Sequence, residues 1–142
     1  MHTGKLINHL FLRLSTLPMP GHRIRPLLVK WGGVRIKDYK SVFIGEDVLF
    51  DTVIPENIII ERGVRITAKT AILTHFLNPR TRKYDKGEVH LCEKCFLGLG
   101  TMIVKPVTIG RGSVVGAGSV VTKDVPDGEI WAGNPARKIG EI

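Results

Sequence analysis

From Leu91 onward the chain places a large aliphatic residue at every sixth position: Leu91, Leu97, Ile103, Ile109, Val115 and Val121. This period removes most alternatives. A helix needs apolar residues three and four apart, and glycine at the density seen here costs it about 1 kcal/mol per site. An antiparallel sheet of hairpins alternates strictly and turns on pairs such as Asn-Gly, which do not occur. A six-residue beat is the signature of a parallel β-helix, in which short strands stack as coils. Each coil then buries one large aliphatic per flat side. Small residues fall where corners are expected: Gly98, Gly110 and Gly116 directly after the aliphatic, and Thr101, Ser113 and Ser119 four positions on.

The first half carries the same beat with interruptions. Ile44, Ile60, Ile66 and Ile72 each open a hexad, but four extra residues lie between Phe50 and Ile60, around Pro55. The interval from Ile72 to Leu91 is one residue longer than three hexads, and it contains "FLNPRTRKYDKGE", with Asn-Pro, a run of cations and a glycine. A loop over about 76–89 is therefore expected to leave the coil just after His75. Residues before Val34 do not follow the hexads. Leu6, Ile7, Leu10, Leu14 and Leu17 share one helical face, with Phe11 beside it, and "PMPG" follows as a breaker. A second helix is expected in "HRIRPLLVKW". Residues 1–33 thus read as a helical cap on the open first coil, as repeat folds require. A basic amphipathic contact with membrane is the alternative. Residues 34–142 read as the β-helix, with a tail over about 127–142.

With 142 residues, 16 glycines and 43% hydrophobic residues, the chain suits one compact, turn-rich domain. A net charge of +8 favours anionic partners. Aromatics make up only 6% and do not alternate with the basic clusters, so stacking platforms for single strands are missing. No helix-turn-helix or zinc-finger spacing occurs, and nucleic acid is not an expected partner. The run "KLINHLFLRLSTL" is too short to span a bilayer, contains Asn8, His9 and Arg13, and lacks a signal cleavage pattern, which leads to a cytoplasmic expectation.

The segment "TIGRGSVVGAGSVVTKDVPDGEIWAGNPARKIG" resembles the hexapeptide-repeat acyltransferases, the group that includes galactoside, maltose and virginiamycin-type acetyltransferases. Upstream, "FDTVIPENIIIERGVRITAKTAILTHF" is similar to the branch that acetylates sugars in surface polysaccharide synthesis. The resemblance runs from about Val34 to the end. It implies an all-β, left-handed parallel β-helix, a homotrimer with active sites between neighbouring subunits, and acetyl-CoA as donor. His75 falls at the family's catalytic histidine. Asp51 matches the acidic residue near the acceptor. "GAGSVVTKD" matches the strand lining the pantetheine arm, implicating Gly116, Ala117, Ser119, Thr122 and Lys123. Arg137 in "GNPARK", with Lys138 beside it, matches the cations that meet the coenzyme phosphates. Two departures stand out: Leu99 in "FLGLG" occupies a position often held by serine or alanine, and the acceptor-binding asparagine of the galactoside branch has no counterpart.

An imidazole can take a proton from a sugar hydroxyl near neutral pH, which makes His75 the expected general base. Asp51 is expected to meet the acceptor or to orient His75. Cys92 and Cys95 form a single CxxC at the second and fifth positions of their hexad, where small residues fit, so packing rather than zinc is expected of them. His2, His9, His22 and His90 show no ligand-gathering pattern. Arg80, Arg82, Lys83 and Lys86 read as a solvated loop or as a grip on a phosphate-bearing acceptor. The expected activity is O-acetylation of a sugar without a metal. The alternatives are N-acetylation of an amino sugar and a non-catalytic membrane-peripheral module. A γ-type carbonic anhydrase would need zinc-binding histidines five apart, and no such pair exists.

Overall fold

The computed structural model describes residues 3–19 and 23–142. Pro20 and Gly21 of the expected breaker, like His2 and His22, lie outside the described residues. Two helices, α1 (Thr3–Ser15) and α2 (Ile24–Trp31), precede the coils. The first coil holds β1 (Arg35–Ile36), β2 (Phe43–Ile44) and β3 (Leu49–Phe50). After a 3₁₀ turn at Pro55–Asn57, the second holds β4 (Ile58–Ile60), β5 (Arg65–Ile66) and β6 (Ala71–Ile72). A hairpin of β7 (His75–Leu77) and β8 (Tyr84–Lys86) then interrupts the winding. The third coil holds β9 (Val89–Leu91), β10 (Phe96–Leu97) and β11 (Met102–Ile103). The fourth holds β12 (Thr108–Ile109), β13 (Val114–Val115) and β14 (Val120–Val121). Finally β15 (Glu129–Gly133) and β16 (Ala136–Glu141) close the chain as an antiparallel hairpin, where a tail was expected.

Stacking aligns the strands into three parallel faces, ordered β1-β4-β9-β12, β2-β5-β10-β13 and β3-β6-β11-β14, with β15 and β16 extending the second. Register explains why one aliphatic per hexad suffices. Ile44, Ile66, Leu97 and Val115 are successive partners, as are Phe50, Ile72, Ile103 and Val121, and Ile36, Ile60, Leu91 and Ile109. Each column is buried from coil to coil. Parallel strands sit roughly 4.8 Å apart, so each side chain packs on the coils above and below.

The corners have their own chemistry. Thr70, Thr101, Ser113 and Ser119 are buried, and each hydroxyl donates to the carbonyl three residues back, at 2.8, 2.7, 2.7 and 2.6 Å respectively. A small hydroxyl there both fits and satisfies a carbonyl that the bend removes from the ladder. Cys95 occupies the same kind of position and is fully buried. At Gly98 the next coil passes so close that a Cβ would lie 2.5 Å from the Ala117 nitrogen, which explains the glycine directly after the aliphatic.

The helices contact the first coil through α2. Val29 is buried, and so is Arg25, whose guanidinium donates to the carbonyls of Ser15, Leu17 and Ile44. The Ile44 carbonyl lies on the open edge of its sheet, so Arg25 satisfies a group with no further coil to meet. The apolar face expected to cap the coil is not the face that packs. Leu12 and Ser15 of α1 are buried, whereas Leu6, Ile7, Leu10, Leu14 and Leu17 are exposed. No helix among the described residues is long and apolar enough to cross a membrane.

Candidate active site

Both irregular intervals of the sequence meet at one place. The extra residues after Phe50 form a turn that begins at Asp51, and the extra residue after Ile72 releases the β7–β8 hairpin that begins at His75. Asp51 is buried and accepts from every side. Its Oδ1 receives the Val53 N–H at 2.8 Å. Its Oδ2 receives the Thr74 N–H at 2.9 Å and the Thr74 hydroxyl at 2.8 Å, and lies 2.6 Å from His75 Nδ1. Burial works to raise the Asp51 carboxyl, but the Thr74 and Val53 N–H groups, the Thr74 hydroxyl and His75 together hold it below the usual carboxylate range. An ionised acceptor at Nδ1 fixes the neutral imidazole with its proton on that nitrogen. The Nε2 lone pair is then left for a substrate proton. Asp51 contacts the His75 ring and does not itself line the cleft beside it.

His75 is half-buried, and its ring lies 5.8 Å, centroid to centroid, from that of Tyr84 across the hairpin. Val53, Ile54, Tyr84 and Lys86 surround it in a cleft of about 270 Å³. The hairpin base is tied down: Gly87 N–H donates to the Thr74 carbonyl at 3.0 Å, and the Asn57 amide to the Gly87 carbonyl at 3.2 Å. Of the expected loop cations, Lys86 lines the cleft, while Arg80, Arg82 and Lys83 are exposed near the hairpin turn.

The residues expected to meet a cofactor lie elsewhere in the chain. Gly116, Ala117, Thr122 and Lys123 follow β13 and β14 in the fourth coil, and Arg137 and Lys138 belong to β16. None lines the His75 cleft. Ser119 is buried: its hydroxyl donates to the Gly116 carbonyl and receives the Gly133 N–H, so it braces the corner. Lys138 is paired with Glu129 at 2.9 Å and with Glu141. Lys123 and Arg137 are exposed and have no ion pair among the described residues. Leu99 is exposed beside a groove lined by Arg25, Phe43 and Thr67.

His90 corrects the reading that it gathers no ligand types. The register Ile60↔Leu91 stacks Glu61 over Cys92 with His90 alongside, and the ligand atoms of these three residues lie within 4.8 Å of one another. Coil stacking across thirty residues hides such a grouping from local spacing rules. Glu61 is already engaged by Lys37 at 2.8 Å, His90 at 3.1 Å and the Glu93 N–H at 3.0 Å. Desolvation pushes the Cys92 thiol up, with Glu61 and Asp127 adding to it, and burial does the same to Cys95. Raised thiols are poor nucleophiles.

This cluster gives a pH expectation. The Lys37 hydrogen bond, against desolvation and aided by His90 and Glu93, lowers Glu61 from 4.5 to about 2. A depressed carboxylate stabilises the fold above its unfolded value, and the contribution is lost as pH falls from 4.5 through about 2. Because Lys37 is largely exposed, the effect should be about 1 kcal/mol. Urea midpoints measured against pH should show that acid limb in the wild type and a flatter one in Glu61→Gln.

Comparison with known proteins follows the same lines. Residues 93–123 match the family model "Hexapeptide repeat of succinyl-transferase". The chain is 37% identical over 111 residues to a galactoside O-acetyltransferase of Lactococcus lactis subsp. lactis, covering 73% of this chain and 46% of that protein. It is also 37% identical over 106 residues to a Bacillus subtilis protein that bears an acetyltransferase name, YvoF, covering 75% of this chain and 60% of that one. The chain thus spans roughly half the length of these relatives. In fold it is similar to a hexapeptide-repeat acetyltransferase from Vibrio cholerae O1 biovar eltor complexed with acetyl coenzyme A, with a TM-score of 0.69 and 22% identity over 96% of this chain and 86% of that one. Such neighbours imply a left-handed sense for the coil. Over about three quarters of its length the chain is thus similar to hexapeptide-repeat acetyltransferases.

Proposed function

We propose that this protein is an acetyl-CoA-dependent O-acetyltransferase that acts on a sugar hydroxyl in cell-surface polysaccharide assembly. The single observation that carries the chemistry is the buried Asp51 carboxylate 2.6 Å from Nδ1 of His75, a residue that lines an open cleft. In the proposed reaction Nε2 takes the acceptor proton as the hydroxyl oxygen bonds to the thioester carbonyl carbon. The carbon–sulfur bond then breaks, and the imidazolium returns the proton to the departing thiolate. No metal takes part. The sugar acceptor is inferred from the galactoside O-acetyltransferase relative, and acetyl-CoA from the ligand of the Vibrio neighbour.

The proposed assembly is a homotrimer in which residues 34–142 form the transfer domain. Support comes from the outward side of the coils. Phe43, Leu49 and Met102 point away from the core and are exposed in the single chain. A neighbouring subunit would cover them and bring its own Lys123 and Arg137 toward a His75 cleft that lacks them. Gly116, Ala117 and Thr122 would then line the pantetheine arm, with Lys138 held back by Glu129 and Glu141.

Titration calorimetry with acetyl-CoA, followed by transfer assays on sugars and nucleotide sugars, tests the reading. Heat on titration and acetyl esters on a sugar hydroxyl are expected; absence of both, with the protein folded, would reject it. Amide products would move the acceptor to an amino sugar. Lys123→Ala and Arg137→Ala should each weaken donor affinity by about 5- to 100-fold, the range for an exposed charge-assisted phosphate contact. Acceptor KM should change little. Titrations in parallel with dephospho-coenzyme A distinguish contacts to the 3′-phosphate from contacts to the pyrophosphate.

A further inference from the structure

We propose that the outward face of α1, together with Ile24 and Trp31 of α2, is a docking surface for an anionic lipid bilayer. On α1, Leu6, Leu10 and Leu14 recur four residues apart with Ile7 beside them, a stripe roughly 100° wide that Leu17 continues just past the helix end. Leu6 is 73% exposed, Leu10 56% and Trp31 53%. The opposite side of the same helix supplies the contacts to the protein, through Leu12 and Ser15. A helix with a buried face and a second, apolar, outward face presents a surface that water disfavours.

Charge selects the occupant. No acidic residue precedes Asp38, whereas Lys5, Arg13, Arg23 and Lys30 are exposed in this segment. Apolar side chains bordered by cations with no anions between them suit the headgroup region of an anionic leaflet. A second copy meeting the same stripe would bring like-charged Lys5 and Arg13 together, and neither helix carries a carboxylate of its own. The stripe is also placed usefully. Lys5 and Asn8, on the flank of the helix, line a groove with Thr52, Val53, Pro55 and Glu56, and Val53 also lines the His75 cleft. A docked α1 therefore sets that cleft beside the headgroups. Docking itself does not depend on the transfer reading.

Cosedimentation of the full chain with vesicles tests the proposal. One set contains phosphatidylcholine and phosphatidylglycerol in a ratio of about three to one, the other phosphatidylcholine alone. The wild type should pellet with the mixed vesicles, bind the neutral ones at least tenfold more weakly, and be released by salt. Leu6→Glu/Leu10→Glu should lower binding at least tenfold with an unchanged thermal midpoint, since both side chains face solvent. Lys5→Ala/Arg13→Ala leaves the stripe intact and should weaken binding to mixed vesicles severalfold. Equal partition of the wild type and the leucine variant, or wild-type indifference to lipid charge, would overturn the proposal. So would self-association abolished by the leucine variant, because a second copy would then be the occupant.

Discussion

His75→Ala is expected to lower acetyl turnover by about 10²–10⁴-fold, the range for losing a general base, while donor affinity stays near wild type. The geometry makes the two readouts separable. The imidazole lines the cleft with Val53, Ile54, Tyr84 and Lys86, and no expected donor-binding residue is among them. The fold should tolerate the change, because Asp51 keeps the Thr74 and Val53 N–H groups and the Thr74 hydroxyl when the imidazole is gone. Asp51→Asn is the informative companion. An amide presenting its N–H to Nδ1 favours the tautomer with the proton on Nε2, so the base is present but wrongly protonated. Turnover should fall with little change in acceptor KM. Near-normal turnover in His75→Ala on the true acceptor would remove the catalytic assignment.

The largest structural effect is expected at Ile66. Its side chain is fully buried and has Ile44 below and Leu97 above as register partners. Ile66→Ala removes packing from both neighbours at once, and the rigid backbone of adjacent coils limits collapse into the gap. The expected loss is about 2–5 kcal/mol. Arg65, its neighbour on β5, points outward and is exposed, so Arg65→Ala should stay within about 0.5 kcal/mol. Chemical denaturation of the two variants, side by side, measures the contrast between the two sides of a two-residue strand. A loss at Ile66 no greater than at Arg65 would mean that the column does not stabilise the coil.

Much of this architecture was legible because stacking converts a one-dimensional period into a column. Leu91, Leu97 and Ile103 had to be buried once the hexads were recognised, and they are. The site was partly legible. The interval irregularities after Phe50 and Ile72 pointed to departures from the coil, and His75 stood at one of them. What did not show was that the two departures meet, since the bond from His75 to Asp51 depends on the register Phe50↔Ile72. The Glu61–His90–Cys92 grouping was hidden for the same reason. The helical segment misled differently. Periodicity located an apolar face on α1 but could not say whether protein or something else would cover it, and Leu12 with Ser15 forms the packed side.

The order of strands within each face has a consequence for how activity is lost. Every coil touches only the coils next to it, so the domain behaves as a short one-dimensional array that can fray from either end before it melts as a whole. The Asp51–His75 pair sits at the join of the first two coils, next to the end closed by Arg25 and the helices. Opening that end alone would separate His75 from Asp51 while the distal coils keep their amide protection. Heat inactivation is therefore expected to start as a local event at the amino-terminal end of the array, and hydrogen exchange at Thr74 should report it earlier than the loss of β signal does.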